Sequence, residues 1–330
     1  MSNFSRRTFH QFVTAAFIGT SLALALTPAI AQNPKEIRLD YATYNPVSLL
    51  LKEKGLLEKE FAGDGISIRW VQSLGSNKAL EFLNASSIDF GSTAGAAALL
   101  ARVGGNPIKS VYVYSRPEWT ALVTTAKSGI ANVADLKGKR IAVTRGTDPH
   151  IFLIRALQEA KLTEKDVKLV LLQHQDGRTA LSRGDVDAWA GLDPLMAAAE
   201  VDDGAKLFHR KAEANTLGVL NVREEFAKSS PELVTRVLKV YEEGRKLALA
   251  DPAAVKAALI AATKLPDAVI TRQLERTDFN DASFTPARKQ TILAAGLALQ
   301  EAGLIKPELD VRDFVRALID DRPVKSAKAQ

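Results

Sequence analysis

Five polar or glycine-containing turns are the parts of this chain best suited to bind an anion. Each turn follows an apolar, strand-like run and precedes a helical pattern, so the helix that begins there presents unpaired backbone N–H groups and a partial positive charge. In open α/β sheets such turns lie at the carboxyl ends of the strands, where ligands bind. Every α/β protein needs such connections, and the sequence alone does not show that the five converge. They are residues 41–46, 73–76, 91–94, 144–149 and 191–194.

Metal and covalent chemistry lack their sequence patterns. Beyond the N-terminal segment, His150, His174 and His209 stand alone, without the spacing of a metal-binding pair, and we expect each to be solvated or to cap a helix. The G-x-S-x-G turn of a serine hydrolase and the Gly-rich phosphate loops are missing. The chain has no cysteine, which excludes disulfides, thiolate metal sites and thiol catalysis. We therefore expect no catalytic residue, no cofactor and no metal ion.

Alternating strand and helix patterns position these turns. Their order is typical of βαβ units, in which parallel strands are buried beneath helices. After about residue 230 only helical patterns remain, and we expect the polar residues 324–330 to form a disordered tail. Candidate strands are 37–41, 66–71, 88–90, 110–114, 121–125, 140–143, 167–172, 188–190, 206–208 and 217–222. Candidate helices are 46–54, 76–84, 94–103, 149–160, 177–183, 194–199, 231–249, 252–263, 266–275, 286–302 and 311–319.

Composition narrows the class of protein. The chain has 330 residues, 46% hydrophobic and 25% charged, an ordinary globular balance at a length that favours two domains. The formal net charge of +6 is spread along the chain without a basic block. This pattern argues against a nucleic-acid partner, which would require Lys and Arg concentrated on one face or tail.

The first 31 residues are typical of a cleavable export signal. They combine a basic pair at Arg6 and Arg7, an apolar run over 12–26 and an A-x-A site that ends at Ala31. The apolar run is shorter than the roughly 20 residues that span a bilayer. The arginine pair resembles the twin-arginine motif, with an ordinary Sec signal as the alternative. We expect the mature protein to begin near Gln32 and to function in the periplasm.

Several segments carry a resemblance to a known family. They are Tyr-Asn-Pro at 44–46, Lys-Gly-Leu-Leu-Glu-Lys-Glu-Phe at 54–61, Ile-Asp-Phe-Gly-Ser-Thr at 88–93, Asp-Leu-Lys-Gly-Lys-Arg-Ile-Ala-Val at 135–143 and Gly-Asp-Val-Asp-Ala-Trp at 184–189. With these segments, residues 35–319 resemble the periplasmic solute-binding proteins of ABC importers, in the group that takes up alkanesulfonates, taurine and nitrate.

The resemblance implies an α/β fold of the two-lobed, type II periplasmic binding proteins. Each lobe would be a mixed sheet flanked by helices, with a helical C-terminal segment. Lobe one would comprise residues 32–125 and 222–323, and lobe two residues 126–221, joined by two crossing strands. The ligand would bind between lobes that close on it.

The resemblance also implies which residues bind the ligand. They are Tyr44, Asn45, Ser92 and Thr93 from lobe one, Gly146, Thr147 and Asp148 from lobe two, and Trp119 and Asp193 at the rim. The chain departs from the family at two places. Leu192 stands where relatives commonly have Trp, and Arg145 and Asp148 lie in a turn that is often rich in Gly and Ser.

A sulfonate suits these residues chemically. Its three acceptor oxygens would receive backbone N–H groups and the hydroxyls of Ser92 and Thr93, and Arg145 is either a further partner or a solvated surface residue. The carbon tail would rest on Trp119 or Tyr44.

The expected function is therefore that of a monomeric periplasmic receptor that delivers an aliphatic sulfonate to a membrane permease. Taurine, nitrate and a thiamine-pathway pyrimidine are alternative ligands. For the ammonium of taurine, Asp148 or Asp193 is an available partner, and capping a helix is the alternative role of either carboxylate. An exported enzyme on the same scaffold is the alternative of another class, but it needs a matched acid, base or nucleophile that the sequence does not offer.

Overall fold

Two mixed β-sheets flanked by helices make up the computed structural model of the protein, which describes residues 34–329. The two-lobed α/β fold expected from the sequence is thereby confirmed. The expected export signal at residues 1–31 lies outside the described residues. Among the helices that are described, none combines the length and the hydropathy needed to cross a membrane.

The strands and helices follow one another in the expected alternation up to residue 223. The strands are β1 (Glu36–Tyr41), β2 (Ser67–Gln72), β3 (Phe90–Ala94), β4 (Ile108–Pro117), β5 (Thr120–Thr124), β6 (Arg140–Val143), β7 (Lys168–Leu171), β8 (Ala188–Leu192), β9 (Lys206–His209), β10 (Gly218–Arg223) and β11 (Thr277–Asp278). The helices are α1 (Pro46–Lys54), α2 (Leu56–Phe61), α3 (Ser76–Asn84), α4 (Gly95–Val103), α5 (Asp148–Glu159), α6 (His174–Arg183), α7 (Leu195–Val201), α8 (Glu224–Ser229), α9 (Pro231–Ala250), α10 (Pro252–Thr263), α11 (Asp267–Glu275), α12 (Pro286–Glu301), α13 (Val311–Leu318) and α14 (Arg322–Ala329).

The first sheet has the strand order β11-β4-β10-β3-β1-β2 and the second has the order β7-β6-β8-β5-β9. In the first sheet β1 is parallel to β2 and β3, and β10 is antiparallel to β3 and β4. In the second sheet β6 is parallel to β7 and β8, and β5 is antiparallel to β8 and β9. Every residue of β3, β5 and β8 is buried, as expected where helices cover both faces of a sheet.

The chain passes between the two sheets at points that differ from the expected lobe boundaries. Because β5 pairs only within the second sheet and β10 only within the first, the change of sheet comes before β5 and before β10 rather than after them. Both strands are apolar and lack a crossover helix, so the sequence does not show to which sheet each belongs. Their pairing in the structure does. Below, lobe one means residues 34–117 and 218–329, lobe two means residues 120–209, and the crossing segments are 118–119 and 210–217.

The C-terminal part of lobe one is helical, as expected, but it does not end in a disordered tail. Residues Arg322–Ala329 form α14, which packs against α9. Val324 and Ala327 are buried there, since residues three apart share one face of a helix. The prediction of a disordered tail rested on the polar composition of residues 324–330, in which two apolar residues on one helix face are easily overlooked.

Candidate functional site

The helix starts of the two lobes meet closely at the junction between the lobes, here termed the cleft. A Cβ atom built on Gly75, just before α3, would lie 3.1 Å from Nε2 of His174, the first residue of α6. The other ring nitrogen of His174 is 3.2 Å from Thr144 Oγ1, and the hydroxyl of Thr147, which precedes α5, donates to the Thr144 carbonyl at 2.6 Å. The starts of α3, α5 and α6 therefore lie close together. None of the three has a side-chain cap of its own.

The start of α4, by contrast, is occupied by the protein itself. The N–H of Ala94 donates to Ser76 Oγ at 3.0 Å, and the next two N–H groups of the chain donate to the crossing segment, at Leu217 O and Thr216 Oγ1. The turn expected at 91–94 is instead strand β3, which pairs with β10. A ligand therefore finds these amides already bonded.

A buried carboxylate lies beneath the lobe-one side of the cleft. Asp40, at the end of β1, is fully buried and accepts hydrogen bonds from Ser92 N at 2.7 Å, Ser92 Oγ at 2.8 Å and Ser73 Oγ at 2.5 Å. Burial raises the pKa of Asp40 to about 6, although the two serines oppose this by stabilising the carboxylate. Asp40 thus fixes the turn after β2 and the middle of strand β3 from a fully buried position.

The two hydroxyls expected to bind the sulfonate are used inside lobe one. Ser92 donates its single hydroxyl proton to Asp40 and accepts from Asn45 Nδ2 at 2.8 Å. Thr93 Oγ1 donates to Ala94 O at 3.0 Å and accepts from Asn221 Nδ2 at 2.8 Å. Because a hydroxyl carries one proton, neither side chain has one left to donate to a ligand oxygen.

Tyr44 is buried against the crossing segment 118–119, and Asn45 caps the helix that follows it. The hydroxyl of Tyr44 donates to Ser92 O at 3.0 Å and lies 3.1 Å from Ser73 Oγ. Its ring meets the ring of Trp119 edge to face, with centroids 6.1 Å apart. Asn45 precedes α1 and caps it by accepting from Ser48 N at 3.2 Å.

Asp148 is bonded to Trp119 and Thr216 and is not available to a ligand cation. This first residue of α5 is buried and accepts from Trp119 Nε1 at 2.8 Å and from the N and Oγ1 of Thr216 at 2.9 and 2.6 Å. Burial raises the pKa of Asp148 above its usual range, against the opposing effect of Thr216 and Trp119. Both oxygens are occupied, so the expected pairing with a ligand ammonium finds no open acceptor here.

In the turn before α5, backbone groups rather than side chains are available for hydrogen bonding. Gly146 adopts a left-handed conformation with φ of 77°, which glycine tolerates best, and its N–H lies 3.4 Å from His150 Nδ1. Thr147 is buried and its hydroxyl is bonded within the turn. Arg145 is exposed. This turn therefore presents the α5 start to the cleft.

Asp193 and Trp119, expected at the rim, are each only 3% exposed. Asp193 Oδ1 accepts from Ala197 N, in the first turn of α7, at 2.8 Å, and the second carboxylate oxygen lies 3.5 Å from Nη1 of Arg276 in lobe one. Burial raises the pKa of Asp193 to about 7, with Arg276 opposing. Leu192 belongs to the same apolar cluster as Tyr44 and Trp119.

Sequence reasoning missed Asp40, Ser73, Thr216 and the burial of His174. His174 is 2% exposed, and it neither caps a helix nor meets solvent. Burial lowers its pKa to about 3, so the ring is neutral at physiological pH. Across residues 34–327, no group of three or more His, Asp or Glu side chains is placed to hold a metal ion.

Comparison with known proteins assigns the chain to a family. A family model described as NMT1/THI5 like matches residues 52–255, more than half of the chain. A relative from Escherichia coli (strain K12), named for binding aliphatic sulfonates, is 29% identical over 265 residues, which are 80% of this chain and 82% of the relative.

Two solved structures share the fold. The alkanesulfonate-binding protein SsuA from Xanthomonas axonopodis pv. citri, bound to MOPS, superposes with a TM-score of 0.78 at 26% identity, over 88% of this chain and 99% of that one. The periplasmic aliphatic sulphonate binding protein SsuA from Escherichia coli gives 0.74 at 27% identity, over 88% of this chain and 93% of that one. With two lobes arranged as in these binding proteins and a family match over most of its length, the chain belongs to the NMT1/THI5-like family.

Proposed function

We propose that the chain is the solute-binding component of an ABC importer, which captures an aliphatic sulfonate between its lobes in the periplasm and delivers it to a membrane permease. The observation that carries the proposal is the meeting of helix starts without side-chain caps, from both lobes, beside the Tyr44–Trp119 pair. The names of the similar binding proteins favour a sulfonate over other anions.

The sulfonate group binds to backbone N–H groups at the starts of α3 and α5. A helix start combines unpaired N–H donors with roughly half a positive charge, which suits a monoanion with three acceptor oxygens. Charged acceptors strengthen such bonds. The hydroxyls of Ser92 and Thr93 do not contact the ligand, because their own protons are already bonded. They stabilise strand β3 instead.

The carbon tail lies against the apolar wall of Tyr44, Trp119 and Leu192. For a ligand of about seven heavy atoms, a ceiling near 1.5 kcal/mol per atom allows about 10 kcal/mol, which corresponds to a dissociation constant in the micromolar range or somewhat tighter. That affinity suits a receptor that scavenges a dilute nutrient.

Closure brings the lobes together by a hinge motion at the crossing segments, 118–119 and 210–217. Arg276 of lobe one reaches Asp193 and Glu200 of lobe two, which stabilises the closed arrangement. The receptor acts as a monomer, exported by way of a signal at residues 1–31. It carries out no turnover, because the buried carboxylates of Asp40 and Asp148 are engaged in structural hydrogen bonds.

A ligand panel tests the proposal. The mature protein is mixed with ethanesulfonate, taurine, nitrate or a thiamine-pathway pyrimidine, and the thermal midpoint is recorded. A ligand at 100 times its dissociation constant stabilises the fold by about 2.7 kcal/mol, so we expect the alkanesulfonate to raise the midpoint by several degrees. A rise with nitrate or the pyrimidine alone would reassign the ligand. Consumption of the bound sulfonate, followed by mass spectrometry, would show an enzyme instead.

A further inference from the structure

The two lobes also meet where α7 of lobe two packs against α11 of lobe one. Ala197 and Ala198 of α7 and Val269 of α11 belong to one apolar cluster, and all three are fully buried. At the end of α11, Arg276 pairs with Glu200 on α7. The junction therefore combines an apolar contact with charged groups, and both parts bring together residues of different lobes.

Charged groups from both lobes and from the crossing segments gather at this junction. Asp193, which precedes α7, is faced by charges from the segments packed against it: Arg276 of lobe one, Glu200 of α7, and Glu118 and Arg210 of the two crossing segments. Arg210 donates to both carboxylate oxygens of Glu118, at 2.8 and 2.7 Å, and Arg276 donates to Glu200. Each arginine therefore has a carboxylate partner of its own, and Asp193 is the third acid. With three carboxylates and two guanidinium groups, this cluster carries one excess negative charge.

Asp193 is poorly paired for a buried carboxylate. It is 3% exposed, and its Oδ1 accepts from Ala197 N at 2.8 Å. Its Oδ2 lies 3.5 Å from Nη1 of Arg276, and both of these buried atoms lack a hydrogen-bond partner. A buried charge that is incompletely hydrogen-bonded is costly, and protonation removes that charge. In agreement with this geometry, burial raises the pKa of Asp193 to about 7, against the opposing attraction of Arg276.

We propose that this cluster is a proton-sensitive latch, in which a proton on Asp193 favours the closed arrangement of the lobes. The inference rests on the proposed function, in which a hinge motion separates α7 from α11. In the open arrangement Arg276 and α11 no longer cover Asp193, so its carboxyl group regains water and its pKa returns toward the ordinary value of 3.8. The closed arrangement therefore binds the proton more tightly. Closure is favoured as the pH falls below about 7 and loses this support as the pH rises through about 7.

The same linkage applies to ligand capture, because only the closed arrangement holds the sulfonate from both lobes. A lower pH should therefore tighten binding. His174 opposes this effect, because it lies against Gly75 of the other lobe and burial lowers its pKa to about 3, so that closure expels a proton from its ring at acidic pH. Comparing the wild type with a variant of Asp193 removes the His174 contribution, since it is the same in both proteins.

Calorimetric titration with ethanesulfonate tests the latch. At pH 6, titrations in buffers of different ionisation enthalpy give the number of protons taken up with the ligand. We expect the wild-type protein to take up about 0.9 proton more than Asp193→Asn, and the ratio of their affinities to rise about tenfold between pH 8 and pH 6. The amide of Asp193→Asn keeps an acceptor for Ala197 N. Asp185→Asn, at an exposed position of lobe two, is the matched control and should behave as the wild type.

Glu200→Gln tests the same cluster without altering Asp193. It frees Arg276 to pair with Asp193, so it should lower the proton affinity of Asp193 and reduce the tenfold change to about threefold or less. Equal proton uptake by the wild type and Asp193→Asn, or an unchanged pH dependence in Glu200→Gln, overturns the latch and leaves the sulfonate receptor standing. Failure of the alkanesulfonates from methanesulfonate to hexanesulfonate to bind at either pH overturns the proposed function itself.

Discussion

The indole N–H of Trp119 donates to the carboxylate of Asp148 at 2.8 Å, which ties a crossing segment to the first residue of a helix in lobe two. Thr216, on the other crossing segment, donates twice to the same carboxylate. Both connections between the lobes therefore meet at one buried acidic side chain. The aromatic wall of the cleft takes its position from that meeting point.

Removing the Trp119 ring should weaken binding more as the ligand tail lengthens. Each buried CH₂ group contributes about 0.8 kcal/mol, so Trp119→Ala should cost about fourfold in affinity per methylene that loses its contact. Calorimetric titration with a series from methanesulfonate to hexanesulfonate measures the slope. Trp70→Ala is the control, because Trp70 bonds Glu58 away from the cleft. Equal losses along the series would show that the tail lies elsewhere.

Asp148→Ala should destabilise the protein by about 2 to 4 kcal/mol, because it leaves the buried N–H groups of Trp119 and Thr216 without an acceptor. Chemical denaturation measures the free energy of unfolding. Asp185→Ala, at an exposed position of lobe two before β8, should change it by about 0.5 kcal/mol or less. A wild-type free energy of unfolding in Asp148→Ala would mean that the Trp119 contact is not formed in solution.

Ser92→Ala and Thr93→Ala should lower stability rather than affinity. Both hydroxyls are fully buried and bonded within lobe one, so each loss should cost about 1 kcal/mol of unfolding free energy. The dissociation constant for ethanesulfonate should stay within about threefold of the wild-type value. A tenfold loss of affinity at unchanged stability would restore them as direct ligand contacts.

Asp40→Asn should alter how stability depends on pH. The pKa of Asp40 rises from 3.8 in the unfolded chain to about 6 in the fold. The fold therefore binds the proton more tightly, and the stabilisation present below pH 3.8 is lost as the pH rises through 6. At about 1.4 kcal/mol per pKa unit this amounts to about 3 kcal/mol.

Denaturation of both proteins between pH 4 and 8 isolates this contribution, since all other groups cancel in the difference. The stability of Asp40→Asn relative to wild type should increase by up to about 3 kcal/mol up to pH 7 and then remain level. A difference that does not vary with pH would mean that Asp40 titrates normally.

Arg276→Ala should loosen the contact between the lobes. Its guanidinium, 5% exposed, pairs with Asp193 and Glu200 across the cleft, and its loss leaves a buried acid without a partner at a cost of about 3 kcal/mol. Small-angle X-ray scattering should show a larger radius of gyration in the presence of ligand. Arg272→Ala is the matched control, because this exposed neighbour pairs only with Glu275 on its own helix. Matching scattering profiles for the two variants would contradict the role of Arg276.

The helix starts of the cleft could be read from the sequence because their signals are local. Residues 73–76 and 144–149 carry glycine, proline and small polar residues between an apolar run and a helical pattern, and α3 and α5 begin within them. The α/β class follows from the same alternation, whereas the two-lobed arrangement was implied by the family resemblance. At residues 91–94 the same signals misled, because pairing with β10 extends β3 through Ser92 and Thr93.

The acidic residue beneath the cleft could not be read in this way. Asp40 lies inside an apolar strand, and its partners Ser73 and Ser92 come from a turn and from strand β3, 33 and 52 residues further along the chain. From the sequence, His174 is expected to be solvated or to cap a helix. Its burial involves contact with Gly75 of the other lobe, which is about 100 residues away in the chain. Such roles arise from contacts between distant segments, which local patterns do not encode.

The placement of β10 between β3 and β4 sets the order in which the two lobes can be completed during synthesis. Lobe two is one continuous stretch and can assemble as soon as β9 has emerged from the ribosome. Lobe one must wait for a central strand, β10, which is made long after its neighbours β3 and β4. A chain released before Gly218 leaves the edges of both β3 and β4 open to pairing with other chains, so premature termination should yield aggregates rather than a half-sized receptor.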